Sequence, residues 1–226
     1  MCGRFTVSLT KREVEDLLLV DFQHQFDLTY SLPRYNIAPR QKVLGLLMQE
    51  EKVRPFTFTW GFISSFSRKD GKKLELINSR IESLEDTWFL KEAYKLRRCL
   101  ILTDGFYEWE ETDQGKVPYR IVERENQLVY FAGLYSVYSL EKEGSYTCSI
   151  LTKEAVGKVK RIHKRMPVML KAEAAKKYLK DGVLKEEDFL GEGDLIMYPV
   201  SKRVNRVNED DVDLIKKEEP LRLDLS

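Results

Sequence analysis

Short apolar runs succeed one another through the middle of the chain with few helical stretches between them. "RPFTFTWGF" alternates, placing Phe56, Phe58 and Trp60 on one face of a half-buried strand. "CLILTDGFYEWE" reads as a central strand broken near Asp104 and Gly105. "PYRIVERENQLVYFAGLYSVY" reads as a hairpin turning around Glu125 and Asn126, and "YTCSILT" as another strand. Strands that follow strands more often than helices predict an α+β fold with a mainly antiparallel, partly barrel-like sheet and flanking helices. Thr10, with Glu13 three residues on, forms a capping-box pattern ahead of Val14, Leu17 and Leu18, which predicts a helix over 11–20. "SLEDTWFLKEAYKLRR", "EAVGKVKRIHKR" and "KAEAAKKYLKDG" are the other helical stretches, with "RMPVML" between the last two.

The chain of 226 residues is long enough for one domain with its own core. Neither a repeat nor a low-complexity linker divides it. A single catalytic domain is expected at 1–208, followed by a charged, loosely attached C-terminal tail at 209–226. A formal net charge of +1 excludes wholesale coating of nucleic acid, so any phosphate binding must come from a local patch. The apolar runs, such as "LLLV" and "VLGLLM", are far too short to cross a bilayer, and the first dozen residues lack a secretory pattern, so a cytoplasmic protein is expected. No heptad marks an oligomer; a monomer is expected. The three cysteines are odd in number and far apart, giving neither a disulfide framework nor a metal clip. Cys99 and Cys148 lie in apolar runs and read as buried structural thiols.

Cys2 is different. Removal of Met1 would leave a free amine and a free thiol on one residue. An α-amine has an ordinary pKa of about 7.7–8.0, so part of it is unprotonated at neutral pH. Such an amine attacks an aldehyde to give a Schiff base. The thiol of the same residue can then add to the imine carbon and close a five-membered thiazolidine, a step favoured by intramolecularity. A cysteine at this position is also compatible with an N-terminal nucleophile amidohydrolase acting on glutamine, or with an unreactive terminus. The first residues alone do not separate an amide substrate from an aldehyde.

"MCGRF", "RYNIAP", "WGF", "INSRIES", "RCLILTDGFYEW", "ILT", "IHKRMPVML" and "YPVS" occur in this order. Together they resemble the SOS response-associated peptidase (SRAP) family of abasic-site processing proteins, along nearly the whole chain up to the acidic tail. The resemblance implies a protein that binds single-stranded DNA containing abasic sites and links its processed Cys2 to the ring-opened sugar, shielding the lesion, with nucleoid association when bound. It implies no metal and no organic cofactor, and the family's peptidase name fits self-removal of Met1. Residue by residue, Cys2 matches the nucleophile, Asn78 the asparagine that orients the amine, Glu108 the glutamate that moves protons, and His163 the histidine that helps open the sugar. Histidine suits that task because its charge changes near neutrality.

DNA contacts have a local signal too. "KVKRIHKR" places Lys158, Lys160, Arg161, Lys164 and Arg165 around His163, a density that suits phosphates, although a charge run is commonly only a solvated face. Arg4 and Arg80, each two residues from a proposed catalytic group, and Arg165 are expected at flanking phosphates. The resemblance adds Asn36, Pro39, Arg40 and Thr152. One departure is visible between "WGF" and "INSR", where family members often carry DNA-wedging tryptophans and this chain holds only Phe66, with Arg68, Lys69, Lys72 and Lys73. Stacking is worth roughly 1–3 kcal/mol per base, so Phe66 is expected to do a smaller version of the same work. The family's alanine after Asn78 is Ser79 here. A glutamine amidohydrolase and a non-enzymatic single-strand DNA-binding module remain the alternatives.

Overall fold

The computed structural model describes residues 2–67, 73–125, 127–138 and 145–218. In chain order the elements run β1 (Phe5–Val7), α1 (Lys11–Phe22), β2 (Arg34–Ile37), β3 (Lys42–Gln49), β4 (Lys52–Trp60), β5 (Phe62–Ser67), β6 (Lys73–Leu76) and β7 (Asn78–Arg80). They continue with α2 (Trp88–Leu96), β8 (Arg98–Thr103), β9 (Gly105–Thr112), β10 (Gly115–Glu123), β11 (Val129–Tyr138) and β12 (Ser145–Glu154). The last are α3 (Val159–Ile162), β13 (Arg165–Pro167), β14 (Met169–Leu170), α4 (Ala172–Asp181) and β15 (Leu195–Pro199).

Strands β12, β4, β3, β8 and β11 pair in that order, and β11 pairs again with β12, so this sheet closes on itself. Closure removes the unpaired edges that an open sheet would present. It is antiparallel except at β12, which runs parallel to β4 and then to β7. Phe58, Trp60, Ile101, Phe131 and Ile150 are fully buried in the main core. Gly45 is required where β3 meets β8, because a Cβ there would lie 2.4 Å from the Leu100 carbonyl oxygen.

A second, antiparallel sheet has the order β15, β10, β9, β1, β2. The expected break at Asp104 and Gly105 is the point where the chain leaves the ring as β8 and enters this sheet as β9. Asp104 is buried there, accepting Thr6 Oγ1 at 2.5 Å, Ser8 N–H at 2.8 Å and the Ser8 hydroxyl.

The expected hairpin around Glu125 and Asn126 is not a strand pair. β10 pairs with β9 and β15, whereas β11 pairs with β8, β12 and β14, and Asn126 lies outside the described residues. A polar turn dictates that the chain reverses, but the partner is chosen by the edges left open. β9 occupies the edge of β10 through its own tight turn, where Gly115 has a φ of +97°.

The cap of α1 forms as expected, with Glu13 N–H on Thr10 Oγ1 and Thr10 N–H on Glu13 Oε2 at 2.7 Å. "EAVGKVKRIHKR" gives only the short α3, because Gly157 has a φ of +52° and His163 is already extended. Residues 209–218, expected to begin a loose tail, lie against the body. Asn36 Nδ2 donates to the Glu209 carbonyl at 2.7 Å, Glu218 N–H donates to the Pro199 carbonyl at 2.9 Å, and Leu214 is fully buried. The apolar Leu214 anchors a stretch whose charge suggested only solvation.

Candidate active site

The sheet that holds the amino-terminal segment fixes Cys2. β1 lies between β2 and β9, pairing Phe5 with Ile37 and with Phe106, and Tyr107 N–H donates to the Arg4 carbonyl at 2.9 Å. Cys2, just ahead of this strand, is fully buried, with its carbonyl accepting Asn78 Nδ2 at 2.8 Å and its Sγ 3.8 Å from the Arg4 carbonyl oxygen. Burial and then the neighbouring Glu108 carboxyl push the thiol well above its ordinary value.

Asn78 arrives on β7, which adds alongside β12 in parallel and sets Asn78 opposite Ile150. Its Oδ1 is buried and has no hydrogen-bond partner among the described residues. Glu108 arrives on β9. The alternation of that strand sends Phe106 into the main core and Tyr107 into a smaller cluster with Val200 and Val204, so both faces are covered. Glu108 is only 4% exposed, and burial raises its carboxyl above the ordinary carboxylate value, opposed by the positive charges of the amino terminus and His163.

His163 sits at the turn from α3 into β13. Its Nδ1 lies 3.0 Å from the Arg165 N–H and 2.9 Å from the Arg165 carbonyl oxygen, so the backbone anchors this nitrogen in either tautomer. Glu108 and His163 line one cleft of about 970 Å³, together with Arg80, Arg161, Lys164 and Arg165. Arg80, Arg161 and Lys164 form no ion pair among the described residues, whereas Lys160, also in the wall, is paired with Glu154 at 2.6 Å. A cleft rimmed by uncompensated cations attracts a phosphate backbone.

The structure thus brings together Cys2, Asn78, Glu108 and His163, with Arg80 and Arg165 at the cleft. Arg165 is held by both carboxylate oxygens of Glu82, at 2.8 and 2.9 Å, and donates to the Thr152 carbonyl at 2.5 Å. Thr152 is fully buried and supports Arg165 from behind. Arg4 and Asn36 are buried as well. Arg4 Nη1 donates to Asn36 Oδ1 at 2.7 Å and to the Val204 carbonyl at 2.6 Å, and Asn36 Nδ2 reaches the carbonyls of Arg206 and Glu209, so this pair ties the amino-terminal strand to the carboxy-terminal segment. Pro39 is half-buried, and the exposed Arg40 pairs with both oxygens of Glu75 at 3.0 Å; neither lines the cleft. The Phe66 side chain lies outside the described residues, as do Arg68, Lys69 and Lys72.

Trp109 and Asn205 are among the cleft residues that the sequence did not single out. Trp109 Nε1 donates to Asn205 Oδ1 at 2.7 Å, and both line the wall. The position of Trp109 beside Glu108 was a usable signal. Asn205 had none, since it reaches the cleft from a distant segment.

The family model described as SOS response associated peptidase (SRAP) matches residues 1–207. The abasic site processing protein YoqW of Bacillus subtilis is 31% identical, over 96% of this chain and 99% of its own length. The abasic site processing protein YedK of Escherichia coli is 27% identical, over 96% and 99%. The abasic site processing protein HMCES of Gallus gallus is 31% identical, over 79% of this chain and 64% of its own. Among solved structures, a phage-related protein of Bordetella bronchiseptica matches with a TM-score of 0.70 at 26% identity, covering 89% of this chain and 95% of that one. A protein from Bacteroides thetaiotaomicron matches in fold with a TM-score of 0.77 at 17% identity, covering 96% and 100%.

Proposed function

The chain belongs to the SRAP family, whose curated relatives are named abasic site processing proteins, and from that premise we propose that it binds single-stranded DNA at an abasic site and joins Cys2 to the opened sugar as a thiazolidine. The observation that supports this reading is the placement of Cys2. Asn78 holds it beside Glu108, and Glu108 and His163 together face a cleft rimmed by unpaired cations. A sugar is most easily presented to a recessed nucleophile from a strand with no complement holding it in a stack.

Hydrolysis of the Met1–Cys2 bond frees the Cys2 amine, and we assign that step to the chain itself, beside Glu108. His163 protonates the ring oxygen of the sugar as the C1–O ring bond breaks and the C1 hydroxyl gives its proton to water, leaving the aldehyde. The Cys2 amine adds to the aldehyde carbon, and loss of water gives the imine. The orphan Oδ1 of Asn78 accepts a hydrogen from the amine and aims it. The thiol, held above its ordinary pKa, does not ionise unaided, so Glu108 takes its proton as sulfur bonds to the imine carbon and returns one to the imine nitrogen. Arg80, Arg161 and Lys164 hold the flanking phosphates.

The test is a denaturing gel of Met1-processed protein with abasic single-stranded DNA. A gel-stable conjugate is expected, absent with Cys2→Ala and absent when an extra residue precedes Cys2. Ammonia release from glutamine without conjugation would establish the amidohydrolase instead, and equal affinity for intact and abasic strands without a covalent product would establish a binding module. Mass spectrometry checks the self-processing step, which fails if Met1 persists on every molecule after incubation at neutral pH.

A further inference from the structure

On β12 the side chains alternate, so Thr152 supports Arg165 at the cleft while Lys153 faces the other way. Lys153 is 7% exposed, yet its Nζ makes no hydrogen bond or ion pair with a described residue. Its Nζ lies 4.9 Å from the centroid of the Phe189 ring, a contact that stabilises the ammonium form. It lines a second cavity of about 580 Å³, whose apolar walls are Ile81, Leu84, Tyr94, Leu184 and Phe189. That volume falls in the range of small-molecule sites.

We propose that this cavity is a binding site for a small monocarboxylate with an apolar body, its carboxylate on Lys153 and its body against Phe189, Leu184 and Ile81. The Lys153 ammonium lies over the Phe189 ring at the cavity wall with no ion pair or side-chain hydrogen bond among the described residues, so a carboxylate in the cavity would supply the charged acceptor that such a group normally has. The walls supply apolar burial for the remainder of the ligand. The charge of the ligand is limited by its other neighbours. Glu82, Glu85, Glu154 and Glu186 also line the cavity, so a multiply charged phosphate meets repulsion where a single carboxylate meets Lys153. Three of these carboxylates are already engaged outward, Glu82 with Arg165, Glu85 with Lys91 and Glu154 with Lys160. Burial lowers the pKa of Lys153, and Glu186 opposes that shift by favouring its charge.

This site is separate from the reaction proposed above and does not depend on it. The test uses the full chain without DNA and follows methyl resonances of Ile81, Leu84 and Leu184 while 3-phenylpropanoate is added. Saturable shifts are expected at these methyls, with 3-phenylpropanamide binding at least about tenfold more weakly, the equivalent of losing about 1.4 kcal/mol. Lys153→Met keeps the bulk of the side chain and is expected to abolish the preference for the acid. Phe189→Leu is expected to weaken the acid while leaving the fold intact, which far-ultraviolet dichroism checks. Equal binding of acid and amide, an unchanged preference in Lys153→Met, displacement by inorganic phosphate at equal concentration, or no saturable shift would each overturn the proposal.

Discussion

The closed ring and the five-stranded sheet share one apolar core and differ in what is added to it. The ring buries apolar side chains in close contact, with Phe58, Leu100, Ile101, Phe131 and Ile150 all fully enclosed. The sheet that carries the amino-terminal strand sends Phe5, Ile37, Phe106 and Ile121 into the same core and adds a buried polar network. Arg120 and Asp104 form an ion pair at 3.3 Å with side chains 4% and 1% exposed, and Thr6, Ser8 and Tyr198 complete it. Apolar burial is non-directional and roughly proportional to area. Hydrogen bonds fix angles. On the proposed chemistry, Cys2 must meet an aldehyde within a fraction of an ångström, and the polar network beside its strand supplies that second kind of support.

Substitutions can break that contrast. Asp104→Ala leaves Arg120 buried without its carboxylate, and chemical denaturation is expected to show a loss of roughly 3–5 kcal/mol. Replacing the pair together, Asp104→Leu with Arg120→Met, is expected to recover most of that stability without recovering conjugation to abasic DNA. Full recovery of both would show that orientation of β1 does not depend on the network. In the ring, Gly45→Ala forces a Cβ against the Leu100 carbonyl and is expected to cost about 1–3 kcal/mol. Conjugation per folded molecule should be unchanged, measured well below the melting temperature. Thr10→Ala removes the cap of α1, away from both regions, at about 1 kcal/mol in the same denaturation assay and with no change in conjugation.

The smallest effect on stability sharpens the contrast most. The folded pKa of Glu108 is raised by burial, so above the unfolded value of about 4.3 the native state holds more protons than the unfolded one. Stability therefore falls as pH rises from that unfolded value through the folded one. Glu108→Gln does not titrate and should be more stable than the parent at neutral pH, with the gain vanishing near about pH 4, while conjugation is lost. A variant that loses stability at neutral pH would show that the carboxylate serves the fold before the chemistry.

Features set by neighbouring residues were legible in advance. The capping box at Thr10 and Glu13, the face shared by Phe56, Phe58 and Trp60, and the break at Asp104 each depend on a few adjacent positions. So did the crowd of cations around His163. Arg4 and Asn36 show the limit. Arg4 is expected at a phosphate from its place two residues after Cys2 and Asn36 from the resemblance alone, and only the arrival of Val204, Arg206 and Glu209 from the far end of the chain makes the two a buried clasp.

Local sequence was enough for most of the succession of strands, for the start of α1 and for the ordered motifs that carry Cys2, Asn78, Glu108 and His163. The folded chain settled that β10 and β11 part into different sheets, that residues 209–218 pack down, and that Lys153 stands over Phe189 without an ion pair among the described residues. The reason is physical: side-chain period and capping act over a few residues, whereas strand partnership and desolvation are settled by competition among edges and surfaces far apart in the chain.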